Sequence, residues 1–187
     1  SNKITEEIFI PTYSFYEDLR FDIEKLSYIN NDNILTILID QVVYAIDIDN
    51  KDMVVVIDNI TNDTLKVSDD QKKVSWEQIV DGRPTSIVIR DNDTNYTQTK
   101  TVEKNQFISN CGFLDDTACY GIGNIGDTWY SSGRNIKDMV HTICFFDTLT
   151  GLEKKYIDEG FYFQFFLVPT GNNTDRLMGV FRILQPT

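Results

Sequence analysis

Along the chain the apolar positions change period once. Phe15, Leu19, Ile23 and Leu26 recur three or four residues apart, the spacing that lines one face of a helix. Ser14-Phe15-Tyr16-Glu17 has the hydroxyl–x–x–carboxylate form of a capping box, and Asn30-Asn31 supplies a stop. These features predict a helix over about residues 15–28, preceded by an N-terminal arm, 1–13. From Ile34 the pattern shortens. ILTILID, VVYAIDID and MVVVIDNI are β-branched runs closed by Asp and Asn, which is how strands are punctuated.

Further along, Ser75-Trp76-Glu77-Gln78 again has the capping-box form and predicts a second short helix, ending at Asp81-Gly82 before Pro84. Residues 86–90 and 96–102 read as the arms of a hairpin around DNDTN. The glycine-rich stretch 107–135 has no clear period. Ile136 to Phe146 fits helix or strand equally well. Phe161 to Val168 is short and aromatic and reads as a buried strand, with LMGVFRIL pairing back onto it across NNTD.

The elements define an α+β, predominantly β chain: antiparallel sheets, sandwich or barrel-like, with an N-terminal helix and one or two short helices. No repeat or Gly/Ser/Pro linker divides it, so a single β-rich domain over 1–187 is expected, a sub-boundary near Arg83 being the alternative. Composition supports the β reading. The chain has 22 Ile and 15 Asn but 2 Ala, and 21 Asp against 8 Glu; Ala and Glu favour helix interiors, Ile strands, Asp and Asn turns. The same Ile/Asn-rich, Ala-poor usage is what an AT-rich genome produces.

Charge excludes one class of function. A net charge of −12 opposes direct contact with nucleic acid, whose phosphates need clustered Lys and Arg. No apolar run is long enough for a membrane helix, and the start SNKITEEIF lacks the basic and apolar segments of a signal peptide. The expected location is a virion or the cytoplasm of the producing cell. Cys111, Cys119 and Cys144 are an odd count, in keeping with a reducing compartment. Sequons at Asn59, Asn62, Asn92, Asn95 and Asn172 read as turn composition.

The motifs with chemical meaning fail on context. CYGIGNIG, residues 119–126, contains GxGxxG, yet Asp115-Asp116-Thr117 before it makes no strand core and DTWYSSG after it opens no helix. It reads as a tight or mobile loop. Asp91-Asn92-Asp93-Thr94-Asn95 begins like a calcium loop, but Tyr96 replaces the glycine and Val102 the bidentate Glu. His141, the single histidine, shares a face with Cys144 on a helix and loses it on a strand. No catalytic residue, cofactor or metal ligand is therefore assigned.

What remains is surface. Trp129 and Tyr130 lie in the glycine-rich stretch and Tyr96 near a turn tip, and exposed rings on loops suit partner or ligand contact. The expected function is a non-enzymatic structural or assembly protein working through interfaces with other protein subunits, most specifically a bacteriophage virion part (head, connector or tail). A glycan-binding or adhesive β-domain and an acidic inhibitor or immunity protein are the alternatives.

Overall fold

The first turn of the helix does not start where its capping box points. In the computed structural model, which describes residues 8–60, 64–126, 128–131, 134–137, 139–157, 161–169 and 175–184, helix α1 spans Tyr16–Lys25 with Phe15 at the N-cap and no side-chain cap. Ser14 Oγ donates instead to Asp40 Oδ1, 26 residues away. The helix also ends before residue 28, because Ser27 already pairs with Ile37. A cap contributes only about 1 kcal/mol, so a tertiary hydrogen bond and a sheet ladder redirect it.

Four strands follow: β1 (Ser27–Ile29), β2 (Ile34–Ile39), β3 (Val42–Asp47) and β4 (Asp52–Ile57). They form an antiparallel meander in the order β1-β2-β3-β4. Asp40 and Gln41, at φ 51° and 63°, make the β2–β3 connection with both central residues left-handed, the turn whose twist matches the flanking strands. Ile37, Ile39 and Ile46 form a small core against which Leu19 of α1, Leu35, Tyr44, Ile8 and Ile10 pack. This is the first of two compact units, residues 1–62; the second is 63–187. Arg83 lies within the second unit, where it pairs with Val80 across a two-residue turn.

The second unit adds β5 (Leu65–Val67), β6 (Lys73–Val80), β7 (Arg83–Asp91) and β8 (Thr97–Thr101) as one four-stranded sheet. The short helix expected at Ser75 is thus a strand. Its Asp81-Gly82, at φ 52° and 73°, is a hairpin turn and not a helix end. The β7–β8 hairpin matches the expected one. Next come β9 (Gln106–Leu114), β10 (Thr117–Asn124), β11 (Thr128–Ser131), β12 (Arg134–Lys137), β13 (Val140–Asp147), β14 (Glu153–Ile157), β15 (Phe161–Pro169) and β16 (Asp175–Leu184). The stretch read as irregular is therefore mostly strand, and the ambiguous segment resolves into β12 and β13. β15 pairs with β16 antiparallel, as expected; the NNTD turn lies outside the described residues. The second sheet runs β16-β15-β13-β10-β9, with β14 also on β13, while β11 and β12 make a separate ribbon.

Ile87 and Ile89 from the four-stranded sheet meet Ile108, Ala118, Tyr120, Cys144 and Phe146 from the larger one in a continuous core. A polar tie crosses beside it. Asn110 accepts from Ser75 Oγ (3.0 Å) and donates to the carbonyls of Ser75 (3.0 Å) and Thr64 (3.1 Å), while Glu77 accepts from the Asn110 amide at 2.7 Å. Ser75 of the second capping box and its neighbour Glu77 serve Asn110, while Gln78 accepts from Ser86 Oγ at 2.6 Å. Burial, partly offset by the Asn110 amide and by Lys66, pushes the Glu77 carboxyl up.

Two stability predictions follow from this geometry. A Cβ on Gly123 falls far inside contact distance of the Met139 carbonyl and the Phe107 ring, whereas one on Gly126, at φ 89°, meets nothing. Gly123→Ala is expected to cost about 3 kcal/mol or more through overpacking, and Gly126→Ala about 1–2 kcal/mol through backbone strain; urea denaturation separates them. Glu77 has a raised folded-state pKa, so its ionisation weakens the fold at neutral pH, and this penalty fades as pH falls through that value. Glu77→Gln, which keeps the acceptor for Asn110, is expected to raise Tm near neutral pH, the gap to wild type narrowing towards about pH 4.

Candidate functional site

The glycines of CYGIGNIG serve packing and turning. Residues 117–124 are the middle strand β10, paired with β9 and β13 on either side. Gly123 gives passage to the Phe107 ring and the Met139 carbonyl, and Gly126 occupies a left-handed turn position. The expectation of a loop here is corrected: pairing on both edges makes it a central strand.

Three of the DNDTN side chains are engaged by nearby donors. Asp91 Oδ1 accepts from the amides of Asp93 and Thr94, both at 2.9 Å. Asp93 pairs with Lys72 at 3.5 Å, and Asn95 Oδ1 accepts from Arg90 at 2.5 Å. Among the described residues no group of three or more His, Cys, Asp or Glu is arranged to hold a metal ion.

His141 and Cys144 both lie on β13, three residues apart, which sends their side chains to opposite faces. His141 Nδ1 lies 2.8 Å from Thr142 Oγ1. Cys144 packs in the core, where burial, reinforced by the Glu153 charge, pushes its thiol up to about 11. Burial also pushes Cys119 up to about 12 and Cys111 well above the usual range. A reactive thiol needs the opposite shift. Glu153 accepts from the Tyr120 hydroxyl and pairs with Lys100 at 3.3 Å and Lys155 at 3.2 Å. Burial pushes its carboxyl up, but these partners outweigh it and hold it below the usual range. The cluster, one carboxylate between two ammonium groups, ties β8, β10 and β14 together.

Of the residues expected to make contacts, Tyr96 is exposed at the end of the β7–β8 turn. The cleft beside it, lined by Arg90, Gln98, Lys73 and Phe146, holds about 20 Å³, room for a water and not for a sugar ring. Trp129 and Tyr130 fall in β11, and their side chains lie outside the described residues.

The first unit leaves a run of other aromatic rings in water. Phe9, Tyr13, Phe15, Tyr16 and Phe21 are all exposed, Tyr13 at 101%, Phe15 at 83% and Tyr16 at 78%. They follow from how the segment is pinned. Ile8, Ile10 and Leu19 turn onto the sheet, and Asp40 accepts from Thr12 Oγ1 at 2.5 Å and from Ser14 Oγ. The Asp40 amide in turn donates to Asp22 of α1 at 2.9 Å. With aliphatic residues taken inward, the rings face water, and no residue of α1 is buried. Phe15 shares the spacing of Leu19 and Leu26 but sits outside the helix and outside the core. The density of aromatics between residues 9 and 21 was the signal available in the sequence.

No protein-family model matches the chain, and no curated protein matches it. Among solved structures, a chain of a mitotic checkpoint complex crystal structure is similar at 10% identity, over 96% of this chain and 88% of that one, with a TM-score of 0.26; so distant a likeness carries no argument. No described helix is long and apolar enough to cross a membrane.

The hydrogen bonds from Ser14 and Thr12 hold the Asp40 carboxyl below the usual range. The anchor therefore contributes fully above the ordinary Asp pKa and is lost as pH falls through the lower, folded-state value. Asp40→Ala is expected to speed protease cleavage within residues 8–15 at neutral pH, with cleavage of the second unit unchanged by mass spectrometry.

Proposed function

We propose that this chain is a non-enzymatic assembly protein that acts by docking its N-terminal aromatic surface against other protein subunits. The observation that carries the reading is the group Phe9, Tyr13, Phe15, Tyr16 and Phe21, exposed together on a segment that Asp40 anchors. Lone monomers seldom leave so many large rings in water, and aromatic side chains are enriched where interfaces form their cores. Anchoring lowers the cost of binding, because the chain that presents the rings is already ordered. The raised thiol pKa values of Cys111, Cys119 and Cys144 support the non-enzymatic half of the reading. A part of a bacteriophage particle is the specific form favoured by the AT-rich residue usage.

A glycan-binding role is the second reading, and the exposed Tyr96 ring beside Gln98 and Arg90 favours it. It ranks lower because the adjoining cleft is too small to seat a sugar.

The test uses the triple variant Tyr13→Ser, Phe15→Ser, Tyr16→Ser, each chain co-expressed with the products of neighbouring genes. Wild type is expected to sediment in a complex well above its own 21.6 kDa, and the variant to run as a free chain with an unchanged circular dichroism spectrum. Equal complex formation by both would remove the aromatic surface from the function.

A further inference from the structure

The exposed rings of the first unit are interleaved with carboxylates. Glu17 and Asp18 follow Tyr16 directly in the first turn of α1, and both are exposed. Acids there suit the positive end of the helix dipole, which does not neutralise them. Among the described residues neither makes an ion pair, and residues 13–18 contain no Lys or Arg. The next cation along the helix, Arg20, is taken by Glu24 at 3.1 Å.

Arg20 also shows what this mixture of side chains can hold. Its guanidinium lies 5.6 Å from the centre of the Phe21 ring while its Nε pairs with Glu24, so one ring and one carboxylate of α1 share a single cation. Tyr13, Phe15 and Tyr16 with Glu17 and Asp18 repeat those ingredients one turn earlier. The exposed valines of β4 and the exposed Leu149 and Leu152 offer a cation no π face.

Rings beside carboxylates suit one side chain above others. A guanidinium is planar, stacks on aromatic faces and forks onto a carboxylate, whereas an ammonium is a compact, strongly hydrated point charge. Resting on the reading that this surface docks other protein subunits, we infer that the partner presents arginine. An arginine-bearing segment lies on Tyr13, Phe15 and Tyr16 and turns its guanidinium groups to Glu17 and Asp18.

A net charge of −12 attracts any polycation, so the test compares two of equal charge. A short fluorescein-labelled peptide alternating arginine and glycine, and its lysine counterpart, are each titrated with the full chain and followed by anisotropy. Wild type is expected to bind the arginine peptide about 10-fold more tightly than the lysine peptide. The triple variant Tyr13→Ser, Phe15→Ser, Tyr16→Ser keeps every charge and is expected to bind the two alike. Glu17→Gln with Asp18→Asn keeps the rings and is expected to weaken the arginine peptide about 10-fold. All five side chains are exposed, so circular dichroism and Tm should match wild type in both variants. A wild-type chain that binds neither peptide, or both equally, overturns the inference. So does an arginine preference that survives in the triple variant, or an arginine affinity that the loss of both carboxylates leaves unchanged. If the triple variant still loses its sedimenting complex in that event, the docking surface stands and only the arginine partner falls.

Discussion

A buried amide has to place all of its hydrogen bonds, and Asn110 places its own across two sheets. Its side chain takes a proton from Ser75 and gives protons to the carbonyls of Ser75 and Thr64, while its backbone amide gives to Glu77. Removing any of these leaves a polar group inside with no water to replace it, which costs more than the bond itself is worth. The pairing of β6 with β7 and of β9 with β10 is thereby tied together, and the core of Ile87, Ile108, Tyr120 and Cys144 can close only with that alignment. In the first unit Asp40 does a comparable job at smaller scale, gathering the arm and α1 at one hairpin tip.

Several charged and polar groups of the second unit are spent on structure. Glu153 is shared by Tyr120, Lys100 and Lys155, Lys73 is held by Asp116 at 2.5 Å, and Cys144 sits in the core. Apolar side chains are left in water among the rings between Phe9 and Phe21 and the valines of β4. A surface of that kind gains free energy by being covered, which is why both readings advanced above concern association.

Where the residue pattern was read wrongly, the error had one cause. Ser14–Glu17 and Ser75–Gln78 both present a local cap, and both hydroxyls went to partners at least 26 positions away. A cap is decided within one turn; a tertiary acceptor can outbid it only once the chain has folded. The glycines of CYGIGNIG misled similarly. Close approach of Phe107 and Met139 to Gly123 is a relation between three strands, and nothing in a linear motif distinguishes it from a turn.

Residue order alone determined the β-rich class, the three-strand run from Ile34 to Ile57, the β7–β8 hairpin and the β15–β16 pair, because alternation of β-branched residues and Asp/Asn punctuation act over a few positions. The net charge of −12 likewise needs no coordinates. Tertiary structure decided which strands became edges, and therefore that β4 is left open while β10 lies in the middle of its sheet. It likewise decided that the aromatics of the N-terminal segment face water, because only the placement of Ile8, Ile10 and Leu19 on the sheet turns the neighbouring rings away from it.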